Sequence, residues 1–182
     1  DTPAEIMAHY VDATGHAPML PDWASGFWQC KLRYKTEDEL LEVAREYKRR
    51  GLPLSVIVID FFHWTLMGDF TFNPDEWPDP EGMLAELEEM GVKAMISVWP
   101  SFNINSRNYD DFADRGYLIR SRSGMPASMR FMDTEPAGET DLNFYDATNP
   151  GARRLFWEKI RETYYRQGFR IFWLDCCEPQ IP

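Results

Sequence analysis

Residues that build metal and redox centres are scarce in this chain. Among 182 residues there are only three cysteines and three histidines. Cys30, Cys176 and Cys177 are odd in number and two are adjacent, so they read as small buried apolar side chains in a reducing compartment. No CxxC or HExxH spacing occurs, and His9, His16 and His63 are scattered, so no metal and no cofactor is expected. Cations are also short: 19 Lys and Arg face 30 Asp and Glu, a net charge of −11, which argues against nucleic acid as a partner. No apolar run approaches the roughly 20 residues of a membrane span. The start, Asp1-Thr2-Pro3, has no signal-peptide character, and a cytoplasmic protein without a membrane partner is expected.

What is abundant is aromatic. Aromatic residues make up 15% of the chain, seven Trp and eight Tyr among them, within a 44% hydrophobic composition that supports a packed core. Aromatic rings in an acidic protein suit neutral, partly apolar ligands such as sugars, whose C–H faces stack on them.

One unit recurs between residues 36 and 175: a capped helix, a glycine and a short apolar strand. Thr36-Glu37-Asp38-Glu39 is a capping box, Leu40, Leu41, Val43, Ala44 and Tyr47 form the apolar stripe, and Gly51 precedes the strand Leu54 to Asp60. Asp79-Pro80 opens a second helix that buries Met83, Leu84, Leu87 and Met90, stops at Gly91 and leads into the strand Lys93 to Val98. Asn149-Pro150 opens a third, through Leu155, Phe156, Ile160 and Tyr164 to Gly168, before the strand at Ile171. Gly26 to Lys31 supplies an earlier strand.

Strands alternating with helices of this length are parallel. Two α/β architectures remain, a doubly wound sheet and a (β/α)8 barrel. No glycine-rich phosphate loop follows the first strand, which disfavours the former. Polar or aromatic residues at successive strand tips (Lys31 and Arg33, Asp60, Trp99, Asp175) favour the barrel, which gathers all tips in one bowl. The expected fold is therefore the first half of a (β/α)8 TIM barrel, a partial catalytic domain over 1–182. An inserted region at 101–148 should hold a small hairpin, with Tyr117 to Arg120 and Met129 to Phe131 as its arms around Ser123-Gly124-Met125-Pro126.

Asp175 ends the apolar run Ile171-Phe172-Trp173-Leu174, where a carboxylate belongs only if it faces a cavity; capping a following helix is the plainer alternative. Asp60 ends a similar run and is a candidate ligand. Trp99 is a candidate pocket floor, and His63 and Trp64 divide evenly between ligand contact and loop packing. Glu178 fits an acceptor that orients a neighbour, and Lys31 and Arg33 lie where they could pair with the bowl's carboxylates. Asp69 fits a local turn bond.

The segments Ile57-Val58-Ile59-Asp60, Gly68-Asp69-Phe70-Thr71-Phe72-Asn73 and Met90 to Pro100, and above all Trp173-Leu174-Asp175-Cys176-Cys177-Glu178-Pro179, resemble the catalytic domain of family 31 glycoside hydrolases, the α-xylosidase and α-glucosidase family. The resemblance implies that Asp175 is the nucleophile of a retaining α-glycosidase, Asp60 a ligand for sugar hydroxyls and Trp173 a wall under the reacting ring. The substrate it implies is an α-linked oligosaccharide or glycoside. Leu32 stands where many of the family's α-glucosidases carry an aromatic residue, and Cys176-Cys177 replaces the Met-Asn of that branch. The family's general acid lies on a later strand, so the isolated chain is expected to be inactive. The alternatives are a sugar-binding or self-associating module, pairing through open sheet edges, and an inverting or phosphorolytic enzyme with Asp60 as base.

Overall fold

Four parallel strands carry the architecture: β1 (Trp28–Gln29), β2 (Val56–Ile59), β3 (Lys93–Val98) and, much later in the chain, β7 (Ile171–Leu174), in the order β1-β2-β3-β7. This computed structural model describes residues 2–134 and 136–179. The register pairs Trp28 with Val56, Val58 with Met95, and Ser97 with Trp173. A period of two then sorts the sheet into faces. Ile57, Ile59, Ala94, Ile96 and Val98 join the main core, while Val56, Val58, Met95, Ser97, Ile171 and Trp173 share the other, inward face.

The outer face is covered by the helices whose starts were legible. Helix α2 (Glu37–Arg49) is capped by the Thr36 side chain and lays Leu40, Leu41 and Ala44 on the sheet. Helix α3 (Pro80–Glu89), capped by Asp79, adds Met83 and Leu87. Helix α5 (Pro150–Ile160), capped by Asn149, adds Phe156 and Ile160 and continues into a π-helical turn, Arg161–Tyr165, that buries Tyr164. Each fully buried leucine in this layer contributes about 2 kcal/mol.

Two helices escaped the sequence reading. Helix α1 (Pro3–Thr14) closes a capping box between Thr2 and Glu5 and buries none of its residues. The short α4 (Tyr109–Ala113) buries Phe112. Among the described residues no helix is long and apolar enough to cross a membrane.

The region after β3 differs from expectation. It forms a three-stranded antiparallel sheet of β4 (Ser101–Asn103), β5 (Ser128–Met132) and β6 (Glu139–Phe144), in the order β4-β6-β5. The turn around Ser123-Gly124 is present, with Arg120 opposite Pro126. Met129 to Phe131, however, pairs with Thr140 to Leu142 and not with Tyr117 to Arg120. The expected arm instead meets Tyr145 through Leu118. This sheet is pressed against the loop after β2, where Gly68 has φ 94° and a Cβ would stand 2.5 Å from the Phe102 ring. Only glycine permits that approach.

Candidate active site

The inward face brings its chemistry to the C-terminal rim. Asp60 leaves β2, Trp99 leaves β3, and Asp175 leaves β7, its amide donating to Val98 O at 3.1 Å. Asp60 is buried at 7% exposure and Asp175 is half-buried. The Asp60 Oδ1 accepts the amide of Phe61 at 2.8 Å, and Oδ2 faces the Cys30 thiol at 3.9 Å. Burial raises the Asp60 carboxyl above the usual carboxylate range, the Phe61 amide opposes that, and the charge of Asp175 adds to it. The two aspartates thus share one electrostatic neighbourhood across the tip of β3. Among the described residues no cation lies within ion-pairing distance of either.

Both aspartates are followed by strained backbone. Phe62 has φ 63° and Cys176 φ 49°, left-handed conformations that cost about 1 kcal/mol or more in a non-glycine residue. The chain turns sharply after each carboxyl group and leaves it at the rim.

Trp99 sits in a small aromatic cluster. Its ring lies 5.4 Å from Phe61, 6.0 Å from Trp64 and 5.6 Å from Phe131, the last reaching over from the inserted sheet. The indole nitrogens of Trp64 and Trp99 are buried without a hydrogen-bond partner among the described residues. Trp173 is 37% exposed on the inward face.

His63 requires a correction. It is 1% exposed and both ring nitrogens are engaged: Nδ1 lies 2.8 Å from Asp60 O and Nε2 2.8 Å from the Tyr164 hydroxyl. A carbonyl only accepts, so Nδ1 carries the proton and Nε2 accepts from Tyr164. Burial holds the imidazole down at about 4, so it is neutral near pH 7. No atom of His63 is left for a sugar; it braces the backbone of Asp60 from the π-helical turn. Sequence could not locate Tyr164 as the partner, since 101 residues separate the two.

Other expectations shift as well. Lys31 pairs with Glu39 on α2, and Arg33 donates to Phe62 O at 3.2 Å, so neither pairs with the rim carboxylates. The cysteines are not core residues: Cys30 and Cys177 are exposed and Cys176 is half-buried, because all three lie at strand tips. Burial, with the charge of Asp175 next, pushes the Cys176 thiol up to about 11, which keeps it protonated. Glu178 is exposed and makes no side-chain hydrogen bond among the described residues. Asp69 is buried and bonds beyond its turn, accepting from Thr65 Oγ1 at 2.6 Å and from the Arg107 amide at 2.9 Å.

Two carboxyl groups missed by the sequence reading as supports hold this rim: Asp69, and Asp133 between β5 and β6. Asp133 is 3% exposed and accepts from the Met67 amide at 3.0 and 3.1 Å and from Asn103 Nδ2 at 2.7 Å. It ties the inserted sheet to the loop after β2. Among the described residues no group of three or more His, Cys, Asp and Glu is placed to hold a metal ion. A cavity of about 380 Å³ lined by Trp23, Leu84, Lys93 and Ile171 opens beside the first residues of β3 and β7, at the end of the sheet opposite the aspartates.

A parallel sheet with helices outside, and with carboxyl and aromatic groups at successive C-terminal tips, defines part of a (β/α)8 barrel that presents its site at the rim. The profile of the glycosyl hydrolases family 31 TIM-barrel domain matches residues 17–182, and the chain belongs to that family. It is 46% identical over 180 residues to the uncharacterized family 31 glucosidase ORF2 of Pseudescherichia vulneris, covering 99% of this chain and 33% of that protein. It is 34% identical over 183 residues to an alpha-xylosidase of Saccharolobus solfataricus, covering 99% of this chain and 22% of the relative. A crystal structure of a family 31 alpha-xylosidase from a soil metagenome, complexed with xylose, superposes with a TM-score of 0.91 at 53% identity, covering 100% of this chain and 26% of that one. The chain therefore spans a third or less of the length of these relatives.

Proposed function

We propose that this chain carries the nucleophile half of a retaining α-glycosidase acting on α-xylosides or α-glucosides. The observation that carries the reading is the convergence of Asp175 and Asp60 at one rim, with Trp99 between their strands. Asp175 attacks the anomeric carbon, the glycosidic oxygen leaves with a proton from an acid outside this chain, and water then cleaves the glycosyl ester with net retention. Asp60 receives sugar hydroxyls, Trp99 and Trp64 line the floor, and Trp173 forms a wall beneath the ring. On this reading the isolated chain binds sugar without turning it over.

Mechanism-based labelling tests the assignment. A polypeptide joining this chain to the rest of a family 31 barrel is treated with an activated fluoro-sugar and digested. The label is expected on Asp175; a label on any other residue overturns the mechanism.

A second reading, a sugar-binding or self-associating module, is favoured by one observation. Strand β7 is an edge, with Leu174 61% exposed and Trp173 37% exposed. Catalysis and pairing are compatible, and they are tested separately.

A further inference from the structure

All three thiols of the chain stand at the rim that carries the aspartates. Cys30 Sγ lies 3.9 Å from Asp60 Oδ2, and Cys176 and Cys177 directly follow Asp175. All three are free; Cys30 and Cys177 are exposed and Cys176 is half-buried. Glycoside hydrolysis gives the adjacent pair no task. The Cys176 side chain packs on the cluster of Trp64, Met67, Trp99 and Leu142. The Cys177 thiol, a weak donor, faces Asp175 O at 3.6 Å. Within a strand, neighbouring side chains point to opposite faces. Here β7 has ended at Leu174 and Cys176 has φ 49°, so that alternation no longer separates the two sulfurs.

Burial and charge decide which chemistry the pair supports. Burial, followed by the carboxylates of Asp175 and Glu178, pushes the Cys176 thiol up to about 11. Burial, followed by Glu178 and Asp175, raises Cys177 as well. Both sulfurs are therefore protonated near pH 7, which disfavours peroxides, alkylating agents and disulfides, all of which need the thiolate. Geometry also disfavours a direct disulfide. Consecutive Cα atoms are about 3.8 Å apart across a trans peptide, inside the roughly 4.4–6.8 Å that disulfides prefer. One atom inserted between the sulfurs lengthens the bridge and relieves that closure. It must be soft, take two sulfurs side by side, and bring its own base for two protons. The oxide of a trivalent organoarsenical meets all three demands.

We infer that Cys176 and Cys177 form a chelating dithiol site for trivalent organoarsenicals, and that filling it closes the rim at Asp175. The step balances without an oxidant. Two As–S bonds form, the arsenic–oxygen bond breaks, and the oxygen leaves as water with both thiol protons, while arsenic stays trivalent. An aryl group on the arsenic lies against Trp64 and Trp99, on which Cys176 packs. Capture needs only the thiols; closure of the rim rests on the glycosidase reading.

The test treats the 182-residue chain, ¹⁵N-labelled, with phenylarsine oxide and reads its mass and its amide spectrum. A single phenylarsenic group per chain is expected, stable to a large excess of a monothiol and released by a small dithiol. Cys176→Ser and Cys177→Ser are each expected to weaken capture about a hundredfold, because chelation makes the second bond intramolecular. Cys30→Ser leaves capture unchanged. Since Cys177 is exposed, its variant decides the matter even where Cys176→Ser disturbs the aromatic cluster. No adduct, an adduct that a monothiol strips, or one that persists undiminished in either of those two variants overturns the site. Xylose is expected to shift the Asp175 amide of the free chain and not that of the adduct; equal shifts in both overturn the closure. A free chain whose Asp175 amide ignores xylose takes the closure down together with the glycosidase reading, while the adduct's mass still decides the dithiol.

Discussion

Asp60 is held from two sides, and the less visible hold is titratable. Its carboxyl meets the Phe61 amide, while its carbonyl is gripped by His63, itself fixed by Tyr164. Unfolded, this imidazole binds a proton near 6.5; folded, it does so only at about 4. Between those values the unfolded chain holds more protons, so stability climbs with pH. The contribution, about 3 kcal/mol, is complete above 6.5 and is lost as pH falls toward 4. Urea denaturation at pH 4.5 and 7 and an NMR titration of the ring measure it; a His63 that titrates near 6.5 would contradict the neutral brace. Tyr164→Phe removes the donor to Nε2 and is expected to cost about 1–2 kcal/mol, the penalty for a buried acceptor left unpaired.

Among the elements, the inserted sheet depends on one clasp. Asp133 joins the Met67 amide to Asn103, and the loop it secures carries Trp64 into the cluster with Trp99. Asp133→Ala strands a buried amide and a buried carboxamide, at an expected cost of about 2–4 kcal/mol. The loosening should raise hydrogen exchange at Met67 and alter tryptophan emission while leaving exchange in β2 and β3 protected; an unchanged Met67 rate would dismiss the clasp. Such a clasp also shows where sequence reading stops. Helix starts were legible because Thr36, Asp79 and Asn149 act within three residues of themselves. The four parallel strands were legible because each is a short apolar run after a glycine. The insert was not, since alternation in Thr140 to Phe144 marks a strand without naming its partner. Asp60 and Asp175 were legible as carboxylates ending apolar runs, whereas Asp69 lies inside an aromatic loop and Asp133 between two strands of the insert, and both acquire their roles only from distant amides.

For the molecule as a whole, the decisive feature is an unequal covering of one sheet. Its outer face lies under α2, α3 and α5, yet the inward face leaves Trp173 37% exposed, and β7 ends the sheet with Leu174 61% exposed. An edge strand with apolar residues and unpaired backbone groups recruits another strand unless charge prevents it. The net charge of −11 does oppose association, but at long range, where salt screens it. These two effects differ in their response to ionic strength, and that separates them. If the edge drives pairing, sedimentation should show self-association that strengthens from low to physiological salt as the repulsion fades. Leu174→Lys, which places a cation on the edge, should return the chain to monomer at equal salt, because Lys blunts an edge locally whatever it does to total charge. A chain that stays monomeric at high concentration and high salt would overturn the pairing proposal while leaving the rim of Asp60 and Asp175 standing, because the edge would then recruit no second strand even with the repulsion screened.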